Sequence, residues 1–121
     1  MNNKKILIVE DERIVAIDIK STLEAEGFEI VDIVISGEAA IEKAIELKPD
    51  LILMDIFLRG SLNGIEASKK IKENMDIPII YLTAYEDKAT IDKAKETNPV
   101  EYLVKPFEED VLIETIKRVL Q

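Results

Sequence analysis

The sequence predicts an α/β fold: a single doubly wound, five-stranded parallel sheet flanked by five helices. Two observations support this prediction. Short apolar runs of strand length alternate with longer segments whose apolar residues recur every three or four positions, the spacing of a helix. The runs at residues 6–9 (ILIV) and 51–56 (LILMDI) are apolar on both faces, as are strands covered on both sides. Because parallel strands need crossover connections, helices are expected on both faces of the sheet.

The predicted strands are short apolar runs, several of them rich in β-branched residues. The fourth run contains Pro78 near its start, where a missing backbone donor is tolerated. In chain order the five strands cover residues 6–9, 28–35, 51–56, 77–82 and 100–104.

The predicted helices follow from apolar residues at helical spacing. They cover residues 13–26, 38–48, 65–73, 87–97 and 108–120. In the first, second and fifth of them the residues expected to face the core are Val15, Ile19, Leu23, Ala40, Ala44, Leu47, Leu112, Ile116 and Val119.

Several residues mark where these helices begin and end. Gly27 suits a left-handed stop after the first helix, because it has no Cβ to oppose that conformation. Ser36 can cap the second helix with its hydroxyl group. Asn63 and the glycine after it form a turn signal that leads into the third helix, and Pro99 follows the fourth.

The composition is that of a folded domain without cysteine or histidine. Of the 121 residues, 47% are hydrophobic and 34% charged, which is enough apolar surface for a core without crosslinks. Disulfides and thiolate metal sites are therefore excluded. Any metal must take oxygen ligands, which favours Mg²⁺, Ca²⁺ or Mn²⁺ over Zn²⁺.

The formal net charge of −9 limits the partners. Nucleic acids and anionic membranes need a basic footprint, so direct binding to either is not expected. The chain has no apolar run near the roughly 18 residues of a membrane span. The apolar run after MNNKK is too short for a signal peptide, so a cytoplasmic protein is expected.

Polar side chains gather where the predicted strands end. Glu10 and Asp11 follow the first strand, Asp55 lies at the end of the third, Thr83 follows the fourth, and Lys105 follows the fifth. Because the carboxyl ends of parallel strands share one edge of a sheet, these five are expected to meet there. Two carboxylates about 4 Å apart repel by about 4 kcal/mol at an effective dielectric constant near 20, so the cluster favours a divalent cation.

The groups around such a cation suit a phosphoryl unit. Mg²⁺ prefers octahedral oxygen ligation with one or two carboxylates, retained waters and a phosphate oxygen. Thr83 can donate a hydrogen bond, and Lys105 can offer a positive charge, to phosphoryl oxygens. Asp55 can act as the nucleophile, because carboxylates form covalent phosphoryl intermediates. The residues thus predict transfer of a phosphoryl group to Asp55, which needs mainly positioning and charge stabilisation.

Five motifs make the chain resemble the receiver domain of two-component response regulators. They occur in the family's order and cover nearly the whole chain. The resemblance implies that residues 1–121 form one receiver domain with the flavodoxin-like strand order 2-1-3-4-5. The motifs are ILIVEDE (residues 6–12), LILMDI (51–56), NGIEA (63–67), YLTAY (81–85) and YLVKPF (102–107).

The resemblance implies a signalling phosphoacceptor rather than an enzyme. Asp55 would accept a phosphoryl group from a histidine of a sensor kinase or of a histidine phosphotransfer protein, in a Mg²⁺-dependent reaction. Asp11 and Asp55 would bind Mg²⁺ directly. Glu10 would act on the metal through a water molecule, and the backbone carbonyl of Phe57 would complete the ligation.

The resemblance also implies a conformational switch. Thr83 and Lys105 would bind the phosphoryl oxygens, and the bond between Lys105 and Pro106 would be cis. Thr83 would move toward the phosphoryl group, and Tyr102 would turn inward to fill the vacated space. The surface made by the fourth helix, the fifth strand and the fifth helix would change with them, and it would bind a downstream partner or form a homodimer.

The chain departs from the family pattern in the loop after Asp55. The family commonly has proline four residues after the acceptor, where this chain has Arg59, and the loop to Gly64 is one residue longer. Phe57 and Tyr85 each lie two residues after a site residue, and their bulk predicts slow hydrolysis of the phosphorylated aspartate.

Other functions have less support from the residues. A receiver that binds its partner regardless of phosphorylation would not need the complete acceptor, acid pair, threonine and lysine. A flavodoxin binds FMN phosphate in the loop after its first strand, but here that loop is EDER, which would repel phosphate. A topoisomerase-primase metal site needs two aspartates in alternation, whereas Asp55 is followed by Ile56 and Phe57. A P-loop is excluded, because no Gly-Lys-Ser or Gly-Lys-Thr triplet occurs.

Overall fold

A computed structural model of the protein describes residues 4–84 and 88–121. Within these two segments, five strands and five helices alternate along the chain, which confirms the predicted fold class. The strands are β1 (Lys5–Val9), β2 (Glu29–Val34), β3 (Leu51–Asp55), β4 (Ile79–Thr83) and β5 (Glu101–Val104). The helices are α1 (Arg13–Ala25), α2 (Gly37–Leu47), α3 (Gly64–Asn74), α4 (Lys88–Lys95) and α5 (Glu109–Val119).

The strands form one parallel sheet in the order β2-β1-β3-β4-β5, as predicted. The register places Asp55 beside Leu82, and Thr83 beside Val104. The carboxyl ends of β3, β4 and β5 therefore lie side by side. The side chains at these ends are held at a single edge of the sheet.

Two apolar layers cover the sheet, one on each face. On one face, α1 and α5 pack against side chains such as Ile8 and Leu53. On the other face, α2, α3 and α4 pack against side chains such as Val9 and Met54. Successive residues of one strand thus serve opposite layers, which is why β3 and β4 are buried along their whole lengths. Each fully buried Leu or Ile contributes about 1.5–3 kcal/mol, so the central strands are rigid supports for the groups at their ends.

The predicted helix boundaries are confirmed at three positions. Gly27 adopts the left-handed conformation with φ of 92° after α1. The Ser36 hydroxyl accepts a hydrogen bond from the Ala39 amide at 3.1 Å and caps α2. Asn63 and Glu66 form a capping box at the start of α3, with two hydrogen bonds of 2.9 Å each.

Other boundaries differ from the prediction. β4 begins at Ile79 rather than at residue 77 and extends to Thr83, so Pro78 precedes the strand. Proline has no amide to donate, but the Pro78 carbonyl still accepts a hydrogen bond from Ile52 at the start of β3. The helix predicted over residues 87–97 ends at Lys95, and its first predicted residue lies outside the described segments.

The predicted inward faces are largely correct, with three exceptions. Val15, Leu47 and Val119 are only half-buried, because each lies in the first or the last turn of its helix. Ala16, the residue after Val15, and Thr115, one helical turn before Val119, are buried instead.

No helix within residues 4–84 or 88–121 has the length and apolar character needed to cross a membrane.

Substitution of Gly64 by alanine should strongly destabilise the protein. An added Cβ would lie 2.1 Å from the Asp55 carbonyl oxygen and 2.9 Å from the Ile56 Cα, both of which are backbone atoms that cannot rotate away. We expect a loss of more than about 3 kcal/mol in the free energy of unfolding, measured by urea titration. Gly60→Ala is the matched control, since its nearest neighbour is 3.7 Å away and only its φ of +99° opposes a side chain. A cost of about 1–2 kcal/mol is expected there, and equal losses in the two variants would contradict the close-approach argument.

Candidate functional site

The structure brings the five predicted site residues together at the carboxyl edge of the sheet. Glu10, Asp11 and Asp55 each offer a carboxylate oxygen, and these oxygens all lie within 4.8 Å of one another. The Lys105 ammonium reaches into the same cluster from the end of β5. The Lys105 amide also donates to the Thr83 carbonyl at 2.7 Å, which fixes the two residues side by side.

The cluster is poorly accessible to solvent, although it carries several charges. Glu10 is fully buried, and Asp55 and Thr83 are exposed by 4% and 1%. The side chains of Asp11 and Lys105 retain only 13% and 14% exposure. Burial of unpaired carboxylates is costly, so each must find a proton, a hydrogen bond or a cation.

Lys105 supplies the cation for two of the buried carboxylates. Its Nζ lies 2.5 Å from Glu10 Oε1 and 3.6 Å from Asp55 Oδ2. It also lies 3.7 Å from the exposed Glu12. The second oxygen of Glu10 accepts a hydrogen bond from the Glu12 amide at 3.1 Å. One lysine thus serves several carboxylates and cannot neutralise them all.

The electrostatic conflict is largest at Asp55. Burial, the negative charge of Glu10 and a hydrogen bond to Glu10 raise the pKa of Asp55 to about 7, against the lowering effects of Lys105 and the Phe57 amide. The Asp55 carboxyl therefore holds a proton at pH values where an ordinary aspartate is ionised.

Lys105 remains charged in this environment. Burial by itself would lower the pKa of Lys105, but the hydrogen bond to Glu10 and the attraction of Asp55, Glu10 and Glu12 outweigh it and raise the pKa. A permanent positive charge is thus held beside Asp55.

The donor set fits a hard divalent cation. The three carboxylates carry more negative charge than Lys105 can balance, and all the available donors are oxygens. Burial, and after it the negative charge of Glu10, raise the pKa of Asp55, so a bound cation would favour its ionised form. The residues are therefore suited to Mg²⁺ and unsuited to a thiophilic metal.

The loop between β3 and α3 completes the surroundings of Asp55. The Phe57 amide donates to Asp55 Oδ1 at 3.3 Å, and the Phe57 side chain is 47% exposed beside the site. The metal contact predicted for the Phe57 carbonyl stays a prediction. Tyr85, the other residue expected to slow hydrolysis, lies outside the described residues.

Tyr102 lies on β5 opposite Tyr81 of β4, on the face of the sheet that α4 covers. Its side chain is half-buried against the core. The Tyr81 hydroxyl donates to Thr97 Oγ1 at 2.6 Å, and Thr97 in turn donates to the Ala94 carbonyl at 2.7 Å. Of the eight residues of α4, all of them described, only Ala94 is buried. The helix beside Tyr102 is therefore held by few buried contacts.

Two contacts at the site were not predicted from the sequence. Glu12 is exposed, yet its carboxylate lies 3.7 Å from Lys105 Nζ. Arg59 Nε lies 3.4 Å from Asp11 Oδ2, across the mouth of the site. The only sequence signal for the Arg59 contact was its place in the lengthened loop after Asp55.

The peptide bond between Lys105 and Pro106 is cis, as predicted.

Apolar side chains surround the charged cluster on two sides. A groove beside Lys105 is lined by Ile14, Val15 and Phe107 among others. A second depression, lined by Ile17 and Ile35 among others, reaches Glu10 and Asp11. Ile14, Ile17 and Ile35 are exposed by 84%, 52% and 63%. An apolar rim of this kind around a polar site is typical of a surface that contacts another protein.

Comparison with known proteins identifies similar chains. The model of the response regulator receiver domain family matches residues 6–117. The transcriptional regulatory protein PdtaR of Mycobacterium tuberculosis is 36% identical over 114 residues, which are 94% of this chain and 55% of that protein. The chain thus spans about half the length of this relative. The chemotaxis protein CheY of Thermotoga maritima is 32% identical over 117 residues, which are 96% of this chain and 97% of CheY.

Solved structures of receiver domains superpose closely on this chain. The signal receiver domain of a modulated diguanylate cyclase from Desulfovibrio desulfuricans superposes with a TM-score of 0.92 at 35% identity, covering 98% of this chain and 94% of that one. The response regulator domain of Thermotoga maritima CheB gives a TM-score of 0.88 at 29% identity, with 98% and 97% covered. Both the predicted family and the predicted strand order are confirmed.

In the absence of metal, the contribution of Asp55 to the free energy of unfolding should fall as the pH rises through the range from about 4 to 7. The pKa of Asp55 is raised to about 7 in the folded state and lies near 4 in the unfolded chain, so the folded state binds more protons across this interval. Asp55→Asn carries no charge to bury and should be more stable than the natural protein by about 1–3 kcal/mol at pH 8, with the gap closing toward pH 4.

Urea unfolding in the presence of a chelator, at several pH values, measures this difference. Asp76→Asn is the control, since Asp76 is exposed and precedes β4 at the opposite edge of the sheet. It should change stability by less than about 0.5 kcal/mol at every pH. A pH-independent gain for Asp55→Asn would mean that burial of the charge is not its cause.

Proposed function

The chain belongs to the response regulator receiver domain family of two-component signalling, and from that premise we propose that Asp55 accepts a phosphoryl group from a histidine of a sensor kinase or of a histidine phosphotransfer protein. The observation that carries the proposal is the juxtaposition of Asp55, buried at the end of β3, with Glu10, Asp11 and Lys105. A nucleophile, an acidic metal site and a fixed cation lie together at one strand edge, as phosphoryl transfer requires.

In the proposed reaction, an oxygen of the ionised Asp55 carboxylate attacks phosphorus. A P–O bond forms while the P–N bond to the donor histidine breaks, and its electron pair stays on the imidazole nitrogen, which takes up a proton. Because the pKa of Asp55 is raised to about 7, much of the carboxyl is protonated near neutral pH and is a poor nucleophile until that proton leaves.

Asp11 and Asp55 would hold Mg²⁺ directly, with Glu10 acting through water and the Phe57 carbonyl as a further ligand. Bound Mg²⁺ would supply charge stabilisation for the phosphoryl oxygens and favour the ionised form of Asp55. Glu10 is fully buried and accepts a hydrogen bond from Lys105, which suits indirect binding of Mg²⁺ through a water molecule. Slow hydrolysis of the product is proposed from the bulk of Phe57 beside Asp55.

Lys105 and Thr83 would bind the oxygens of the attached phosphoryl group. Lys105 Nζ already lies 3.6 Å from Asp55 Oδ2 and stays charged. Thr83 is 1% exposed and directly follows Leu82, the residue that pairs with Asp55 across the sheet, so its hydroxyl would move toward the new group from the adjacent strand. Charge-assisted hydrogen bonds to the new group would favour that movement.

The switch would pass from Thr83 to the surface formed by α4, β5 and α5. Thr83 and Tyr102 lie on adjacent strands, and α4, which covers this part of the sheet, has Ala94 as its single buried residue. A helix so weakly held can shift at low cost when Thr83 moves and Tyr102 turns inward. This surface is the proposed contact for a downstream partner or for a second copy of the chain.

The donor protein would dock on the apolar rim around Asp55. Ile14, Ile17 and Ile35 offer exposed apolar area beside the grooves that reach Lys105 and Asp11. The net charge of −9 is unfavourable for nucleic acid, so a protein partner is the better match.

Incubation with Mg²⁺ and acetyl phosphate should add a single phosphoryl group, detected by intact-mass spectrometry. The adduct should be absent in Asp55→Asn and in the presence of a chelator, because both the nucleophile and the metal are required. The Asp76→Asn variant should be modified like the natural protein.

Absence of the adduct in a folded protein that binds Mg²⁺ would contradict the proposal. It would favour the alternative, a receiver that binds its partner regardless of phosphorylation.

Removal of the Thr83 hydroxyl should separate phosphorylation from the switch. Thr83→Ala should still accept the phosphoryl group at Asp55, because the nucleophile and the acid cluster are intact. The phosphorylation-dependent change in amide hydrogen exchange over α4 and β5 should be lost, since nothing pulls residue 83 toward the phosphoryl group.

Thr83→Ser keeps the hydroxyl and should preserve both events. A full exchange response in Thr83→Ala would remove Thr83 from the proposed switch.

A further inference from the structure

Arg59 places a second cation at the acidic cluster, beside Asp11, a carboxylate with which Lys105 forms no ion pair. Lys105 pairs with Glu10 and Asp55. Arg59 pairs with Asp11, with Nε 3.4 Å from Oδ2. Each of the three carboxylates thus has a cationic neighbour, and the two cations divide the cluster between them.

The two cations differ in how firmly they are held. The Lys105 side chain is 14% exposed and hydrogen-bonded to Glu10 at 2.5 Å. The Arg59 side chain is 87% exposed, while its partner Asp11 is only 13% exposed. An ion pair in which one side chain is exposed to solvent contributes little to stability, and its exposed member is readily replaced by another cation. Of the two, Arg59 is the cation that another cation can displace.

The backbone around Arg59 is anchored on the opposite side, at the start of α2. Residue 59 forms a parallel bridge with Ser36, the residue that caps α2. The Ser61 hydroxyl donates to the Glu38 carboxylate, and this hydrogen bond lowers the pKa of Glu38. Gly60, with φ of 99°, provides the turn between these two anchors. The backbone is thus held by α2 and the side chain by Asp11, so the loop after Asp55 spans the mouth of the site.

We propose that Arg59 is an internal counter-ion that occupies Asp11 until a divalent cation displaces it, and that it thereby weakens and tunes the affinity of the site for Mg²⁺. The inference rests on the proposed Mg²⁺ site but not on phosphoryl transfer. Arg59 is a positioning residue in this account. It neutralises Asp11 in the metal-free protein and, once displaced, gives up the contact that ties the loop after Asp55 to Asp11, while the bridge to Ser36 and the buried Leu58 still hold the loop backbone. Occupancy of the metal site is in this way linked to the state of the acceptor loop.

Isothermal titration calorimetry with MgCl₂ alone, at low salt and pH 8, tests the proposal. Arg59→Ala should bind Mg²⁺ about threefold to tenfold more tightly than the natural protein, because the metal no longer competes with a guanidinium and no longer faces its repulsion. Arg59→Lys keeps the charge and should stay near the natural affinity. Arg118→Ala removes the same charge from α5, where Arg118 forms an exposed ion pair with Glu101 of β5, and it should change the affinity by less than about twofold.

The salt dependence supplies a readout that loss of packing would not move. The advantage of Arg59→Ala should shrink as NaCl rises from about 50 mM to 500 mM, because the competing pair is exposed and screened. Equal affinities in Arg59→Ala and Arg118→Ala, or an advantage independent of salt, would overturn the proposal. Since no phosphodonor is present, failure of phosphorylation at Asp55 would leave this result unchanged, and the two proposals fail separately.

Discussion

Repulsion among three carboxylates at the edge of a sheet is the constraint around which this molecule is arranged. Glu10 and Asp55 are buried, Asp11 is nearly so, and their oxygens lie within 4.8 Å of one another. Lys105 offsets only part of this charge, and burial together with the negative charge of Glu10 raises the pKa of Asp55 to about 7. A site so charged is poised to gain free energy from a divalent cation, and that gain connects metal binding with the reactivity of the acceptor.

Burial of apolar residues elsewhere in the fold must offset the unfavourable free energy of placing these carboxylates close together. β1 and β3 are central strands, and the residues that carry Glu10 and Asp55 to the edge are apolar and fully buried. Helices on both faces of the sheet provide that burial, which makes the strands stiff enough to hold like charges together. By contrast, α4 has one buried side chain and the loop after Asp55 carries an exposed arginine. The parts proposed to respond to the site are therefore those with the fewest buried contacts.

Much of the fold and of the site could be predicted from sequence, because both depend on local patterns. The apolar runs predicted the strands. Because the carboxyl ends of parallel strands share one edge of a sheet, the residues at the ends of these runs were predicted to be neighbours, namely Glu10, Asp11, Asp55 and Lys105. Pro78 was placed inside β4 because an apolar run does not reveal where ladder hydrogen bonds begin. The pairing of Arg59 with Asp11 could not be predicted, because the two residues are 48 positions apart in sequence (59 − 11) and their contact depends on a loop shape that no pattern encodes.

The titration of Asp55 itself is the most direct test of this account. Carbon-13 NMR of aspartate carboxyl groups, with the Asp55 signal assigned by its absence in Asp55→Asn, would follow ionisation in the metal-free and the Mg²⁺-saturated protein. The Asp55 signal should titrate with a midpoint of about 7 without metal, and Mg²⁺ should displace this midpoint clearly downward. A metal-free midpoint near 4, as in an ordinary aspartate, or a midpoint that Mg²⁺ does not move, would contradict the claim that crowded carboxylates and a displaceable proton govern this site.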